Sequence, residues 1–301
     1  MEPIVFKVNN TTIEKMKKYY DSQMVPCDDT TLLFKAHTIG CDISVKADGT
    51  VELTGQNALR EAQHWSKKIK KKMASLNQMD DVYNLHHIGS AETGSADYLG
   101  PICVVACYVS DEDVAWIKSL EIGKIDELTT KEIVQYAKIL KDRLVYSLLI
   151  LDNSHYNKMV QDGFNQANIK AKLYNQAIVN VMQKVKQSVK VKVITQFVSP
   201  KTYFNYLKNE VIVVKDLMFE SNAQDQYMAV AAAEILSRYA YLQYFANMSK
   251  SLKMNLCRGT STNVDNVAVS IATKYGPKML NKVAKLNFTN TKRVKSLISE
   301  A

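Results

Sequence analysis

The sequence predicts a mixed α/β protein in two parts, a small α+β unit followed by a larger α/β core built on a mixed sheet. Three observations carry this reading. Strand-like runs and helical periods alternate along the chain, an Asp48-Gly49 pair marks a tight hairpin, and a polar, lysine-rich stretch separates two differently patterned segments. With 301 residues, 47% of them hydrophobic and 23% charged, the chain has enough apolar material for two cores.

Residues 4–8 read as a strand. Thr11-Thr12-Ile13-Glu14 has the spacing of a capping box and predicts a helix to about Gln23. Residues 32–38 and 42–46 read as strands, and Asp48-Gly49 turns the chain into a further strand at 50–54. A helix from about Asn57 closes the unit and runs into Lys67, Lys68, Lys70, Lys71 and Lys72, then into the polar segment 77–81. The boundary is expected there, with a first domain at 1–75, a linker at 76–82 and a second domain at 83–301. The lysines fit either a solvated linker or a phosphate contact.

In the second part, residues 85–89, 101–109 and 144–151 read as strands and 130–142 as a helix, with shorter strands at 191–196 and 211–214 between helices. The helix after Asn222 is rich in small residues (Ala229, Ala231, Ala232, Ala233), which suits close packing on a sheet. Asn263 and Tyr275-Gly276-Pro277 bracket a late helix.

The formal charge of +9 favours a polyanionic partner, either nucleic acid or an acidic membrane surface, although a solvated basic surface has the same composition. The apolar stretch 227–248 is interrupted by Glu234 and Arg238, so no membrane span is expected. Five cysteines form no CxxC, and the N-terminus Met1-Glu2-Pro3-Ile4 has no signal-peptide pattern; both fit a cytoplasmic protein. Cys103 and Cys107 fall in one apolar strand and read as core residues.

Ala91-Glu92-Thr93-Gly94-Ser95-Ala96-Asp97-Tyr98-Leu99-Gly100-Pro101 resembles the signature of the ribonuclease HIII family, Asp-Glu-x-Gly-(Thr/Ser)-Gly-Asp-Tyr-Phe-Gly-Pro. Blocks at 163–166, 172–178, 196–200, 227–233 and 283–288 resemble later blocks of that family in the same order. The resemblance implies a ribonuclease H-like mixed sheet with flanking helices, preceded by a small α+β domain like half of a TATA-box-binding protein. It also implies cleavage of the RNA strand of RNA/DNA hybrids by two Mg²⁺ ions held on four acids.

Of those four acids the resemblance leaves one. Glu92 is retained, while Ala91, Thr195 and Gln224 occupy the other three positions. Mg²⁺ is held mainly through carboxylates, so a lone glutamate is expected to bind a metal weakly or not at all. No cofactor is expected, with Mg²⁺ or Mn²⁺ relevant only if activity remains. Ala91 alone would suit an engineered substrate trap; three separate losses point to a naturally degenerate enzyme. Asp97, Asp225, Glu220 and Glu234 are the other candidate acids for a rebuilt site, and each reads as an ordinary solvated or capping acid.

Binding needs no metal. The resemblance places Thr93, Gly94, Ser95 and Ala96 as the backbone clamp on the ribose 2′-hydroxyl, with Ala96, where the family has glycine, as its weak point. Asn165, Gln166, Lys170 and Lys172 belong to or adjoin a block that lies near substrate, or else form the polar start of a helix. Lys7, Lys35 and Lys46 fall on strands of the first unit and line its open sheet face, as substrate contacts or as a solvated surface. His86 and His87 read as structural, and Tyr203, Tyr206 and Tyr241 as packing residues.

The leading expectation is therefore a monomeric, non-cleaving protein that binds RNA/DNA hybrids. An active ribonuclease HIII and a protein-interaction module that reuses the fold are the alternatives.

Overall fold

The computed structural model describes residues 3–299 apart from 28, 39, 56, 67–68, 70–85 and 190. The lysines of the 67–72 cluster and the expected linker at 76–82 lie outside the described residues. The chain separates into two compact units, Met1–Asn84 with Val198–Asn205, and Leu85–Phe197 with Tyr206–Ala301.

In the first unit β1 (Ile4–Lys7), α1 (Asn10–Tyr20), β2 (Met24–Val25), β3 (Leu32–Thr38), β4 (Cys41–Lys46), β5 (Thr50–Thr54) and α2 (Ala58–Trp65) follow one another. The strands form an antiparallel sheet in the order β1-β5-β4-β3-β2. Alternation sorts the side chains. Phe34, Ala36, Ile43, Val45, Val51 and Leu53 are buried with Ile13, Met16 and Tyr20 of α1 and Ala58 and Ala62 of α2. The register pairs Lys35 with Ser44, Ser44 with Glu52, Glu52 with Val5, and Lys7 with Thr50. Lys7, Lys35 and Lys46 therefore share the face turned away from the core, as expected. One detail differs: α1 is capped by Asn9, whose side chain accepts from Thr12 N at 2.9 Å, and not by the Thr11 box. Asn9 is already extended one residue before the helix, so it captures the first free N–H groups.

The second unit contains β6 (His87–Thr93), β7 (Ile102–Val109), α3 (Asp111–Ser119), α4 (Thr130–Arg143), β8 (Val145–Leu151), α5 (Asn153–Gln161), α6 (Gln166–Lys184) and β9 (Val191–Thr195). A short helix α7 (Pro200–Tyr206) spans the division between the units. β10 (Met218–Glu220), α8 (Met228–Leu252), α9 (Thr262–Tyr275), α10 (Leu280–Val283) and α11 (Asn290–Ser299) complete the chain. The sheet order is β10-β9-β6-β7-β8, with β10, β9 and β6 parallel and β7 and β8 antiparallel. All eight residues of β7 are buried, as in a strand covered on both faces.

Gly89 fixes how α8 meets this sheet. A Cβ at that position would lie 2.3 Å from Val230 N and 2.5 Å from Ala229 C, so only glycine lets the helix backbone approach β6. Buried His87 accepts from Ala229 N at 3.0 Å and satisfies a free N–H in the first turn of α8, in keeping with a structural role. Cys103 and Cys107 are core residues, and burial pushes the Cys103 thiol up to about 12.

Two expectations about elements fail. Residues 211–214 form no strand: the side chain of Asn175 donates to Ile212 O at 2.7 Å and accepts from Val214 N at 2.9 Å, replacing the strand partner. The tenth strand is instead Met218–Glu220. Helix α3 was not expected, although Ser110 and Asp113 form a capping box at its start.

Candidate hybrid-binding site

Parallel pairing brings the C-terminal ends of β6, β9 and β10 together, the place where open α/β sheets bind ligands. The last paired residues of β6 and β9 are Ser90 and Ile194, and one step further lie Ala91 and Thr195. Thr195 is also paired with Glu220 of β10. Beyond Glu220, Asn222 adopts a left-handed conformation (φ 53°) and starts a single 3-10 turn, Ala223–Asp225. That turn brings Gln224 over Thr195, whose Oγ1 donates to Gln224 Oε1 at 3.3 Å. In a 3-10 turn Asp225 is rotated by about 120° from Gln224, further than in an α-helix.

Glu92 sits on the other flank of this cluster and is almost enclosed. Its Oε1 accepts from Ser95 Oγ at 2.6 Å and pairs with Lys170 Nζ at 2.8 Å, while its Oε2 is buried without a hydrogen-bond partner. Gln166 Nε2 donates to Ser95 O at 2.7 Å. Gln166 and Lys170 stand four residues apart on α6, so from one helix face Gln166 reaches the 93–96 loop and Lys170 reaches Glu92 just before it. That spacing was readable in the sequence; the acid on which Lys170 lands was not.

The other two residues of the expected α6 group have different partners. Asn165 caps the helix by accepting from Asn168 N at 2.8 Å and donates to Tyr206 OH at 3.3 Å. Lys172 pairs with Glu210 and lies over the Phe164 ring. Both residues thus tie the start of α6 to the 206–210 segment.

The 93–96 loop is held at Thr93, Gly94 and Ser95. Thr93 Oγ1 is 2.9 Å from Ser237 Oγ of α8. Gly94 has φ +97°, and a Cβ there would lie 2.3 Å from Pro101 O and 2.7 Å from the Tyr241 ring. Internal packing thus already demands glycine at 94, whatever a ligand requires. Ala96 is exposed and is not among the residues with positive φ, so its methyl group imposes no backbone strain. Asp97 Oδ1 accepts from Gly259 N at 2.6 Å. Buried Lys285 donates to Asp97 O and Gly100 O at 2.8 and 2.6 Å, and burial pulls its ammonium down to about 8.

Residues 92–97 line an open cavity of about 300 Å³ together with Asp126, Glu234 and Arg238. Burial, reinforced by Asp126, pushes the Glu234 carboxyl up to about 7. Among the described residues, no group of three or more His, Cys, Asp or Glu side chains is placed to hold a metal ion. The donor set explains why: Ala91 has no ligand atom, Thr195 and Gln224 are neutral and bonded to each other, and Glu92 already faces an ammonium. These residues do not fit a pair of divalent cations.

Comparison with known proteins places these observations. Residues 88–291 match the family model described as Ribonuclease HII, and residues 3–78 match one described as a domain of unknown function. Ribonuclease HIII of Bacillus subtilis (strain 168) is 34% identical over 308 residues, covering 99% of this chain and 98% of that protein. Ribonuclease HIII of Bacillus mycoides (strain KBAB4) is 32% identical over 308 residues, covering 99% of both. Among solved structures, Bst-RNase HIII in complex with Mn²⁺ superposes with a TM-score of 0.73 at 26% identity, covering 100% of both chains. No helix among the described residues is long and apolar enough to cross a membrane.

Proposed function

The chain belongs to the ribonuclease HII/HIII family, and from that premise we propose that it is a cytoplasmic monomer that binds RNA/DNA hybrids without cutting them. The observation that carries the second half is the Thr195–Gln224 hydrogen bond, a neutral contact at two positions where the family resemblance calls for carboxylates. Two Mg²⁺ ions supply, when bound, the activation of water and the stabilisation of the leaving oxygen. With Glu92 committed to Lys170 and Ser95, the described residues offer no set to hold them.

Binding is assigned to parts that need no metal. The backbone of residues 93–96 approaches the ribose of the RNA strand, where a 2′-hydroxyl distinguishes RNA from DNA. Gln166 holds that loop at Ser95 O, and Lys170 pairs with Glu92, to which Ser95 donates. Lys7, Lys35 and Lys46 supply cations on the outer sheet face of the first unit, where the exposed Lys7–Asp48 pair at 3.2 Å opens at little cost when a phosphate arrives.

The test is affinity for a labelled RNA/DNA hybrid and for duplex DNA of the same sequence at matched salt. Preference for the hybrid is expected, with a salt slope that falls by about two to three when Lys7, Lys35 and Lys46 are all replaced by alanine. Equal affinity for the two duplexes would overturn the proposal.

A second reading, cleavage through displaced acids, draws on Asp126 and Glu234, which share the cavity with Glu92. The Glu234 carboxyl, pushed up to about 7, is a poor anchor for a hard cation at neutral pH.

A further inference from the structure

The Lys170–Glu92 pair differs from the other ion pairs of the second unit in where it lies. Its side chains retain only 15% and 12% exposure, and it engages Glu92, the one acid retained at the four positions that the family resemblance assigns to metal binding. The ammonium is 2.8 Å from Glu92 Oε1 and 4.5 Å from the centre of the Phe197 ring, so an anion and an aromatic face both stabilise the cation. Ser95 Oγ donates to the same carboxylate oxygen, and Gln166, one turn before Lys170, holds Ser95 O. Lysine, carboxylate and loop thus form one connected unit.

We infer that the Lys170 ammonium is the resident cation of this site: it occupies Glu92 in place of a divalent ion and keeps the 93–96 loop in its binding shape without metal. The inference rests on the hybrid-binding reading only for the second of these roles. Ammonium and dication compete for Glu92. A dication approaching Glu92 must either displace the ammonium or sit beside it, and a cation already tethered to the site repels it at close range in a medium of low dielectric. Carboxylates at all four of the family's positions would overcome that repulsion; Glu92 alone of the four does not. The buried Oε2 without a hydrogen-bond partner marks where a metal would gain a second bond if the lysine were gone.

Titration with Mn²⁺, followed by the electron paramagnetic resonance of the free ion, tests the first role without reference to cleavage. Wild type is expected to bind no Mn²⁺ at this site at about 1 mM. Lys170→Met is expected to gain at least about tenfold in Mn²⁺ affinity, Lys170→Met with Glu92→Gln to lose that gain, and Lys170→Arg to behave as wild type. Submillimolar Mn²⁺ binding by wild type that Glu92→Gln abolishes would overturn the inference, as would a folded Lys170→Met protein with no gain.

If Lys170→Met does not fold, wild type alone decides through its affinity for hybrid in EDTA and in Mg²⁺. Equal affinities support the inference, and a loss of about tenfold or more in EDTA contradicts it. Absence of hybrid binding under every condition defeats the functional proposal instead and leaves the Mn²⁺ result standing.

Discussion

The framework behind the 93–96 loop and the strand ends in front of it have been treated differently. Behind the loop, demanding positions hold the residue their geometry requires: Gly89 under α8, Gly94 against Pro101 and Tyr241, and Asp97 on Gly259 N. In front, the positions to which the family resemblance assigns acids hold Ala91, Thr195 and Gln224, two of which are hydrogen-bonded to each other. A chain losing its fold would erode both regions together. On the proposed reading, intact support combined with a neutral front is what remains when shape is used and hydrolysis is not.

The largest effect expected from breaking this contrast comes from restoring the front. Ala91→Asp, Thr195→Asp and Gln224→Glu together should raise cleavage of a labelled hybrid in Mn²⁺ by at least about a hundredfold over wild type, roughly 3 kcal/mol of transition-state stabilisation. Recovery should be partial, because Lys170 still faces Glu92. No gain at all would mean that the framework has drifted as well.

Breaking the framework should instead cost stability. Gly89→Ala forces a methyl group into the backbone of α8 and is expected to destabilise the protein by at least about 3 kcal/mol, read from urea denaturation. A near-neutral result would show that β6 and α8 are less tightly joined than the geometry implies.

The smallest effect concerns the cavity wall. The native state holds the Glu234 proton more tightly than the unfolded chain, so stability falls as pH rises from the ordinary carboxyl value, near 4.5, to about 7, and the loss is complete above that. Glu234→Gln should therefore raise stability at pH 8 by about 1 to 2 kcal/mol, reduced by solvent screening at this partly exposed group, and change little at pH 4. Equal melting shifts at the two pH values would remove the electrostatic explanation.

The sequence made the framework more legible than the front. Alternation and the Asp48-Gly49 turn located β3, β4 and β5, and small residues located α8, because both signals are local. Residues 211–214 misled because β-branched residues favour strands, whereas the Asn175 side chain that satisfies their backbone lies 37 or more residues away in the chain. Similarly, the family resemblance raised the expectation of neutral residues in place of acids at 91, 195 and 224, but the Thr195–Gln224 bond depends on Asn222 turning the chain through a left-handed conformation. The partner of Lys170 was hidden for the same reason: 78 residues separate it from Glu92, and only the packed fold brings them together.

The most direct measurement of binding without cutting is incubation of wild-type protein with end-labelled RNA/DNA hybrid in Mn²⁺, with complex formation and RNA length read from the same sample. The account predicts a shifted complex containing full-length RNA. Shortened RNA that disappears when Glu92→Ala replaces the wild type would contradict it.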